Sequence, residues 1–272
     1  MNRIITEQFV VQGIPILSIY EESASRLPLV IYIHGYGGSK KDGLEFGHKI
    51  VERGMYFVAF DAAGHGERKQ DERDSLIKES SVYPPDTGLD TWLHMLEVIA
   101  KTTEDIDALL LHFMNDPKVN TERLGVTGLS MGGYAVYFIA ANDPRVQVAV
   151  PIIGLASFLE RWEDVLLESS TYERWAEALK ESEEHTKLRT AFVQSIDPYD
   201  KLASFYPKPL LISIGDIDVE QPKKYTINLY KTLKPAYRDC PDRLKLSVHD
   251  GVGHFVTSAM MEEACEWFEK HL

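Results

Sequence analysis

The chain has 272 residues, 44% of them hydrophobic, enough to bury a core as one large α/β domain or two small ones. Its formal net charge of −13 argues against nucleic acid or an anionic membrane as a partner. The opening MNRIITEQFVVQG lacks the long apolar core of a secretory leader, and no run of about 18 apolar residues could span a bilayer, so a cytoplasmic location is expected.

The first element expected is a β-hairpin. IITEQFVV and IPILSIYEE are two apolar runs parted at Gln12-Gly13, a glycine turn. Short apolar runs then recur at Leu29–Ile33, Met55–Phe60, Leu124–Val126, Val146–Ile153, Leu210–Ile214 and Leu244–Val248. Most are followed by a glycine-bearing turn and a helix-length segment. Continuous apolar runs of this kind suit parallel strands covered by helices on both faces. The helices expected are Leu93–Met114, Met131–Ala141, Lys223–Leu233 and Val256–His271; Leu93, Leu96, Ile99 and Ala100 illustrate the helical spacing. Alternating strand and helix predicts a doubly wound sheet whose ligand lies beyond the carboxyl ends of its strands. The chemistry should therefore sit in the turns that follow the strands.

The first such turn, YIHGYGGSKKD after Ile33, is glycine-rich but has neither the P-loop nor the dinucleotide-binding spacing, so nucleotide binding is disfavoured. Its glycines would let backbone N–H groups approach a small oxyanion, with the Tyr36 amide as the candidate donor; His34 reads as a loop brace. The second turn, FDAAGHGERKQD, gathers Asp61, His65, Glu67 and Arg68. A bracing network is the leading reading, ahead of a direct catalytic role for the cluster, and an Arg68 contact to an anionic substrate group is the other.

The third turn, GLSMGG, sets Gly128-x-Ser130-x-Gly132 between a strand and a helix, the context that a nucleophile elbow requires. Glycines flank such a serine because both arms of a sharp turn must pass close together and leave Oγ exposed. An oxyanion at this site would find a second donor in the Met131 amide.

After the next strand, the stretch 155–207 breaks the alternation and is expected to be a helical cap inserted into a single domain spanning 1–272. Phe158 and Trp162 fall on one helical stripe, Tyr172 and Trp175 on another. The plain reading is two amphipathic helices packed on the core. The sharper one is a cap whose aromatic residues (Phe158, Trp162, Tyr172 and Trp175) line a substrate pocket.

A serine hydroxyl needs a base to take its proton. Of nine histidines, only His34, His65 and His254 lie in glycine-bearing turns after strands. His254, in HDGVGHF ahead of the last helix, also follows a plausible acid, as the order Ser…Asp…His demands. That acid lies in Gly215-Asp216-Ile217-Asp218. Asp218 is chosen because it stands farther out in the turn, while Asp216 suits local capping. The only two cysteines, Cys240 and Cys265, make neither a disulfide framework nor a metal pattern.

These residues resemble the α/β-hydrolase family, with HGYGG, DAAGHGER, GLSMGG, GDID and GVGH in the family's order over essentially the whole chain. The resemblance is strongest to small esterases related to dienelactone hydrolases and to the catalytic domain of prolyl-oligopeptidase-type enzymes. It implies an eight-stranded, mostly parallel sheet with an antiparallel start and helices on both faces. It also implies Ser130 as nucleophile, His254 as base, Asp218 as acid, and Tyr36 and Met131 as oxyanion donors. Ser130 stands where dienelactone hydrolases have cysteine, so their lactone substrate does not carry over. The expected activity is hydrolysis of small to medium carboxylic esters with no metal or organic cofactor. A thioesterase or acylaminoacyl peptidase would use the same residues, and a non-catalytic binding protein keeping the fold is the reading from another class. Exposed apolar surface on the cap could equally serve a homodimer.

Overall fold

The computed structural model describes residues 3–69, 89–169 and 183–272. The strands are β1 (Ile4–Val11), β2 (Ile14–Glu21), β3 (Leu27–Ile33), β4 (Tyr56–Phe60), β5 (Val119–Leu129), β6 (Val146–Ile152), β7 (Leu210–Gly215) and β8 (Leu244–His249). Between and after them lie α1 (Leu44–Val51), α2 (Leu89–Phe113), α3 (Met131–Asn142), α4 (Phe158–Ser169), α5 (Glu183–Ser195), α6 (Lys223–Leu233) and α7 (Ser258–His271).

One eight-stranded sheet runs β1-β2-β4-β3-β5-β6-β7-β8. β1 with β2 and β2 with β4 are antiparallel, and every other pair is parallel. The expected hairpin is present: Val11 pairs with Ile14, and Gln12 and Gly13 both adopt positive φ (49° and 84°), the geometry of a tight primed turn.

The inner strands β3, β4, β6 and β7 are buried along nearly their whole length, as continuous apolar runs require, whereas β8 at the sheet edge is buried only at Leu244. Because strand side chains alternate, each strand feeds two cores. In β3, Leu29, Ile31 and Ile33 join the core beneath α2, α3, α4 and α6, whereas Val30 and Tyr32 join the core beneath α1 and α7. α3 is apolar on all sides and almost wholly buried, as a helix wedged between the sheet and its neighbours must be.

From β3 the chain steps first outward to β4 and later to the other side, to β5. The strand order thus reverses at the β3/β5 boundary, the place beyond whose carboxyl strand ends open α/β sheets bind their ligands. The turns after them are the His34 loop and the Ser130 turn.

Of the boundaries that differ from the sequence reading, two have a visible cause, while α2 begins at Leu89 and not at the expected Leu93. β5 begins at Val119, because Val119 and Asn120 pair with Leu27 and Pro28 before a register shift; this polar lead-in carries no apolar periodicity. The last helix begins at Ser258, where the Thr257 hydroxyl accepts from the Met260 amide (3.2 Å) and caps it. Among the described residues, no helix is long and apolar enough to cross a membrane.

Candidate active site

Ser130 sits at φ 53°, ψ −114°, between the last residue of β5 and the first of α3. A positive φ at a non-glycine residue is strained, and the surroundings hold it there. The Ser130 amide donates to Ile152 O (3.0 Å), and the Tyr134 amide donates to Ser130 O (3.0 Å). The flanking glycines are required by contact. A Cβ on Gly128 would lie 2.6 Å from the Gly132 carbonyl carbon and 2.7 Å from Ile33 O. One on Gly132 would run into the Ile33 carbonyl, and one on Gly133 would lie 2.7 Å from Ile152 O. The turn therefore packs backbone to backbone against the ends of β3 and β6, which no side chain would allow.

Three post-strand turns meet at this serine. Ser130 Oγ and His254 Nε2 are 2.9 Å apart, and His254 Nδ1 is 2.8 Å from Asp218 Oδ2. Asp218 is buried, and its other oxygen accepts the amides of Glu220 (3.0 Å) and Gln221 (2.9 Å). With the carboxylate accepting at Nδ1, the imidazole carries its proton there and presents Nε2 as acceptor for the serine hydroxyl. Asp216 does not take part; its amide donates to His249 O (3.0 Å). The acid and histidine turns are pressed together: the Ile217 amide donates to Val252 O (3.2 Å), and a Cβ on Gly215 would lie 2.7 Å from the Val252 carbonyl carbon.

The His34 loop approaches the same serine. A Cβ built on Gly35 would sit 3.7 Å from Ser130 Cβ, in ordinary contact. That places the loop carrying the Tyr36 amide beside Oγ. The Met131 amide, first in α3, has no intrahelical acceptor by its position. The Tyr36 side chain turns to α2, with its hydroxyl 2.9 Å from His94 Nδ1 and its ring edge-on to His65 at 5.1 Å.

His34 is fully buried and joins two turns. Its Nε2 accepts from the Ala62 amide (3.0 Å), so Nδ1 carries the proton and donates to Gly35 O (2.7 Å). Burial holds its pKa below the usual histidine value, and it stays neutral.

Asp61 is also fully buried and accepts the Lys40 amide (2.8 Å), the Lys40 ammonium (3.0 Å) and the Glu67 amide (2.9 Å). Burial pushes this carboxyl up, but those donors outweigh it and hold it below the ordinary carboxylate range. A Cβ on Gly66 would fall on the carboxylate itself, which explains the glycine. Arg68 pairs with Asp105 and donates to Asp61 O (3.1 Å). The second turn is thus a bracing network, and the structure gives Arg68 to Asp105 instead of the anionic substrate group considered as the other reading.

Phe158 and Trp162 have no exposed surface. The Phe158 ring stacks on Tyr134 (5.3 Å), and Trp162 stacks on Trp92 (6.2 Å) and donates from Nε1 to Thr190 Oγ1 (2.8 Å). Their rings are enclosed by these partners and present no surface to solvent. Tyr172 and Trp175, the other two residues of the expected pocket, lie outside the described residues. Tyr134, whose phenol burial pushes up to about 12, donates to Gln221 Oε1 (2.6 Å), so the Phe158–Tyr134 stack leads to the acid turn.

Lys40 and Gln221 were not singled out in the sequence. Lys40 lies in a polar GSKKD stretch that gives no sign of burial, and Gln221 lies between a carboxylate and a proline with no periodic pattern. Among the described residues, no three His, Cys, Asp or Glu side chains are grouped to hold a metal ion.

Comparison with known proteins places the chain among hydrolases of this fold. The chain is 27% identical to YitV of Bacillus subtilis (strain 168) over 269 residues, covering 98% of each chain. It is 23% identical to esterase YjfP of Escherichia coli (strain K12), covering 95% of this chain and 96% of that one. In solved structures it superposes on TT1662 from Thermus thermophilus with a TM-score of 0.72 at 21% identity, covering 98% of both chains. It also superposes on an acylaminoacyl peptidase from Pyrococcus horikoshii with a TM-score of 0.66 at 16% identity, covering 100% of this chain but 42% of that one. The pattern of the prolyl oligopeptidase family matches residues 93–272, most of the chain, and the chain belongs to that family.

Proposed function

We propose that the protein is a serine esterase that hydrolyses carboxylic esters through an acyl-enzyme on Ser130. The observation that carries this reading is the hydrogen-bonded series Asp218–His254–Ser130, with the serine held at a positive φ where Oγ projects from the elbow. The esterase name of YjfP supports the choice of ester over other acyl substrates.

In this mechanism Nε2 of His254 takes the hydroxyl proton as Oγ attacks the carbonyl carbon. The carbonyl oxygen becomes an oxyanion and is met by the amides of Met131 and Tyr36. Removing one donor from such a hole typically costs ~10²–10³ in rate. Asp218 keeps the imidazole in the required tautomer and stabilises the imidazolium without taking up its proton. The imidazolium protonates the leaving alkoxide, and the ester C–O bond breaks. A water then repeats the sequence, so that the acid leaves and the serine regains its proton. In this reading Phe158 and Trp162 act by packing, through Tyr134 and Trp92, and not by touching substrate.

A fluorophosphonate probe should label the native protein stoichiometrically and leave Ser130→Ala unlabelled. Turnover of p-nitrophenyl acetate should vanish in the same variant. An unlabelled native protein would exclude catalysis and favour a binding protein that retains the fold. Matched ester, thioester and acyl-amino-acid amide substrates separate the esterase from its two neighbours in chemistry.

A further inference from the structure

Glu220 stands beside the reacting end of His254 and has no part in the mechanism above. Its Oε2 lies 3.6 Å from His254 Nε2, and its side chain is 67% exposed. Its amide is tied to Asp218 Oδ1 (3.0 Å), so the carboxylate that orients the imidazole also anchors Glu220. Among the described residues no Lys or Arg pairs with it; the nearby Lys224 is given to Asp164. Ile217, Val219 and Phe255, all exposed on the same two turns, bring no charge to offset it. The neighbouring Asp218 adds a second negative charge behind the ring.

We propose that Glu220 is a specificity-determining residue that favours esters with a neutral or cationic alcohol portion and rejects those with an anionic one. The inference rests on the esterase reading. Nε2 hands its proton to the departing oxygen, so the alcohol portion of an ester must occupy the space beside Nε2. Glu220 borders that same space. A carboxylate there meets any charge carried a few bonds beyond the ester oxygen at a separation of about 7 Å. At a partly solvated site this changes acylation by about fivefold per unit of substrate charge. Added salt screens the effect, because the carboxylate is open to solvent.

The test uses three acetates with one acyl group and alcohols of similar size: acetylcholine, its uncharged isostere 3,3-dimethylbutyl acetate, and 4-acetoxybutanoate. The readout is the ratio of kcat/KM for the cation to that for the anion, in the native protein, Glu220→Gln and Glu220→Lys at low salt. The native protein should prefer cation over neutral over anion. In Glu220→Gln the cation-to-anion ratio should fall about 25-fold, and Glu220→Lys should invert the order. Raising salt to about 0.5 M should compress the native ratio and leave that of Glu220→Gln nearly flat. A general loss of activity without a change in the ratio would mark Glu220 as structural and overturn the inference. Failure of the native protein to turn over the neutral acetate or to be labelled by the fluorophosphonate overturns the esterase reading and this inference with it. Turnover with an unchanged ratio overturns this inference alone.

Discussion

Gly215 closes β7 against the turn that presents His254, and Gly215→Ala tests whether that backbone contact sets the geometry of the site. A Cβ there would lie 2.7 Å from the Val252 carbonyl carbon and 2.8 Å from Gly253 O, against the 3.4 Å at which ordinary contact begins. Both obstacles are backbone, so no side chain can swing aside. The histidine turn must move by more than about 0.7 Å relative to the end of β7, because Val252 O lies nearer to that Cβ than either of these atoms. If that movement lengthens the 2.8 Å contact between His254 and Asp218, it brings it to at least about 3.5 Å, the edge of hydrogen bonding. Misplacements of about 1 Å can cost on the order of 10² in rate, and overpacking typically costs about 1–3 kcal/mol of stability. The matched control is Gly253→Ala, next to Val252 in the same turn, where a Cβ would meet only the Phe255 ring at 3.8 Å. We expect Gly215→Ala to lose about 100-fold in kcat/KM for p-nitrophenyl acetate and roughly 2–4 °C of Tm per kcal/mol. Gly253→Ala should stay within about threefold of native, short of the tenfold that 1.4 kcal/mol represents. Steady-state kinetics with thermal unfolding of both variants decides the matter. Equal activity in the two variants would refute the reasoning.

Three further outcomes follow from the same site. In Asp218→Asn the amide oxygen keeps the Glu220 and Gln221 amides, so the NH₂ faces Nδ1 and forces the other tautomer; kcat should drop by about 10⁴ with Tm little changed. Lys40→Met leaves the fully buried Asp61 without its cation and should cost about 3–5 kcal/mol in urea unfolding, although the backbone amides of Lys40 and Glu67 remain on the carboxylate. His34 has a folded pKa held below that of the unfolded chain by burial, so the unfolded state binds more protons. Its contribution is complete above the unfolded value of about 6.5 and is lost as pH falls from there through the lower folded value. Tm should therefore decline from pH 7.5 to pH 5.5, and His34→Gln should flatten that decline; equal slopes would discount the histidine.

Much of the catalytic geometry was legible in order and spacing. A serine between glycines after an apolar run, an acid beyond Gly215 and a histidine beyond Gly253 each follow a strand that ends at the same edge of the sheet. Parallel strands bring residues far apart in the chain to that edge, so order along the chain translates into proximity. Asp218, not Asp216, reaches the imidazole because it stands farther out in the turn. The aromatic residues were read less well. Phe158 and Trp162 repeat at helical spacing, and spacing says that a face is apolar without saying what covers it. The answer, Tyr134 and Trp92, comes from helices elsewhere in the chain.

The polar interior was legible only in part: the bracing roles of His34 and of the Asp61 turn could be read, but the burial of Lys40 could not. Lys40 and Lys41 are neighbours in the same polar stretch, yet Lys40 is buried on Asp61 and Lys41 is exposed. Only the close approach of the first two post-strand turns decides which lysine is enclosed. The same holds for Glu220, whose place beside Nε2 depends on how the acid turn packs against the histidine turn. What the sequence determined by itself was the set of strands, the glycines that let their turns meet and the candidates for nucleophile, base and acid. These are local preferences and an ordering along the chain. Which charges are buried, which are paired and which one stands beside His254 Nε2 was decided by tertiary structure, because each depends on a contact between segments whose approach no local pattern encodes.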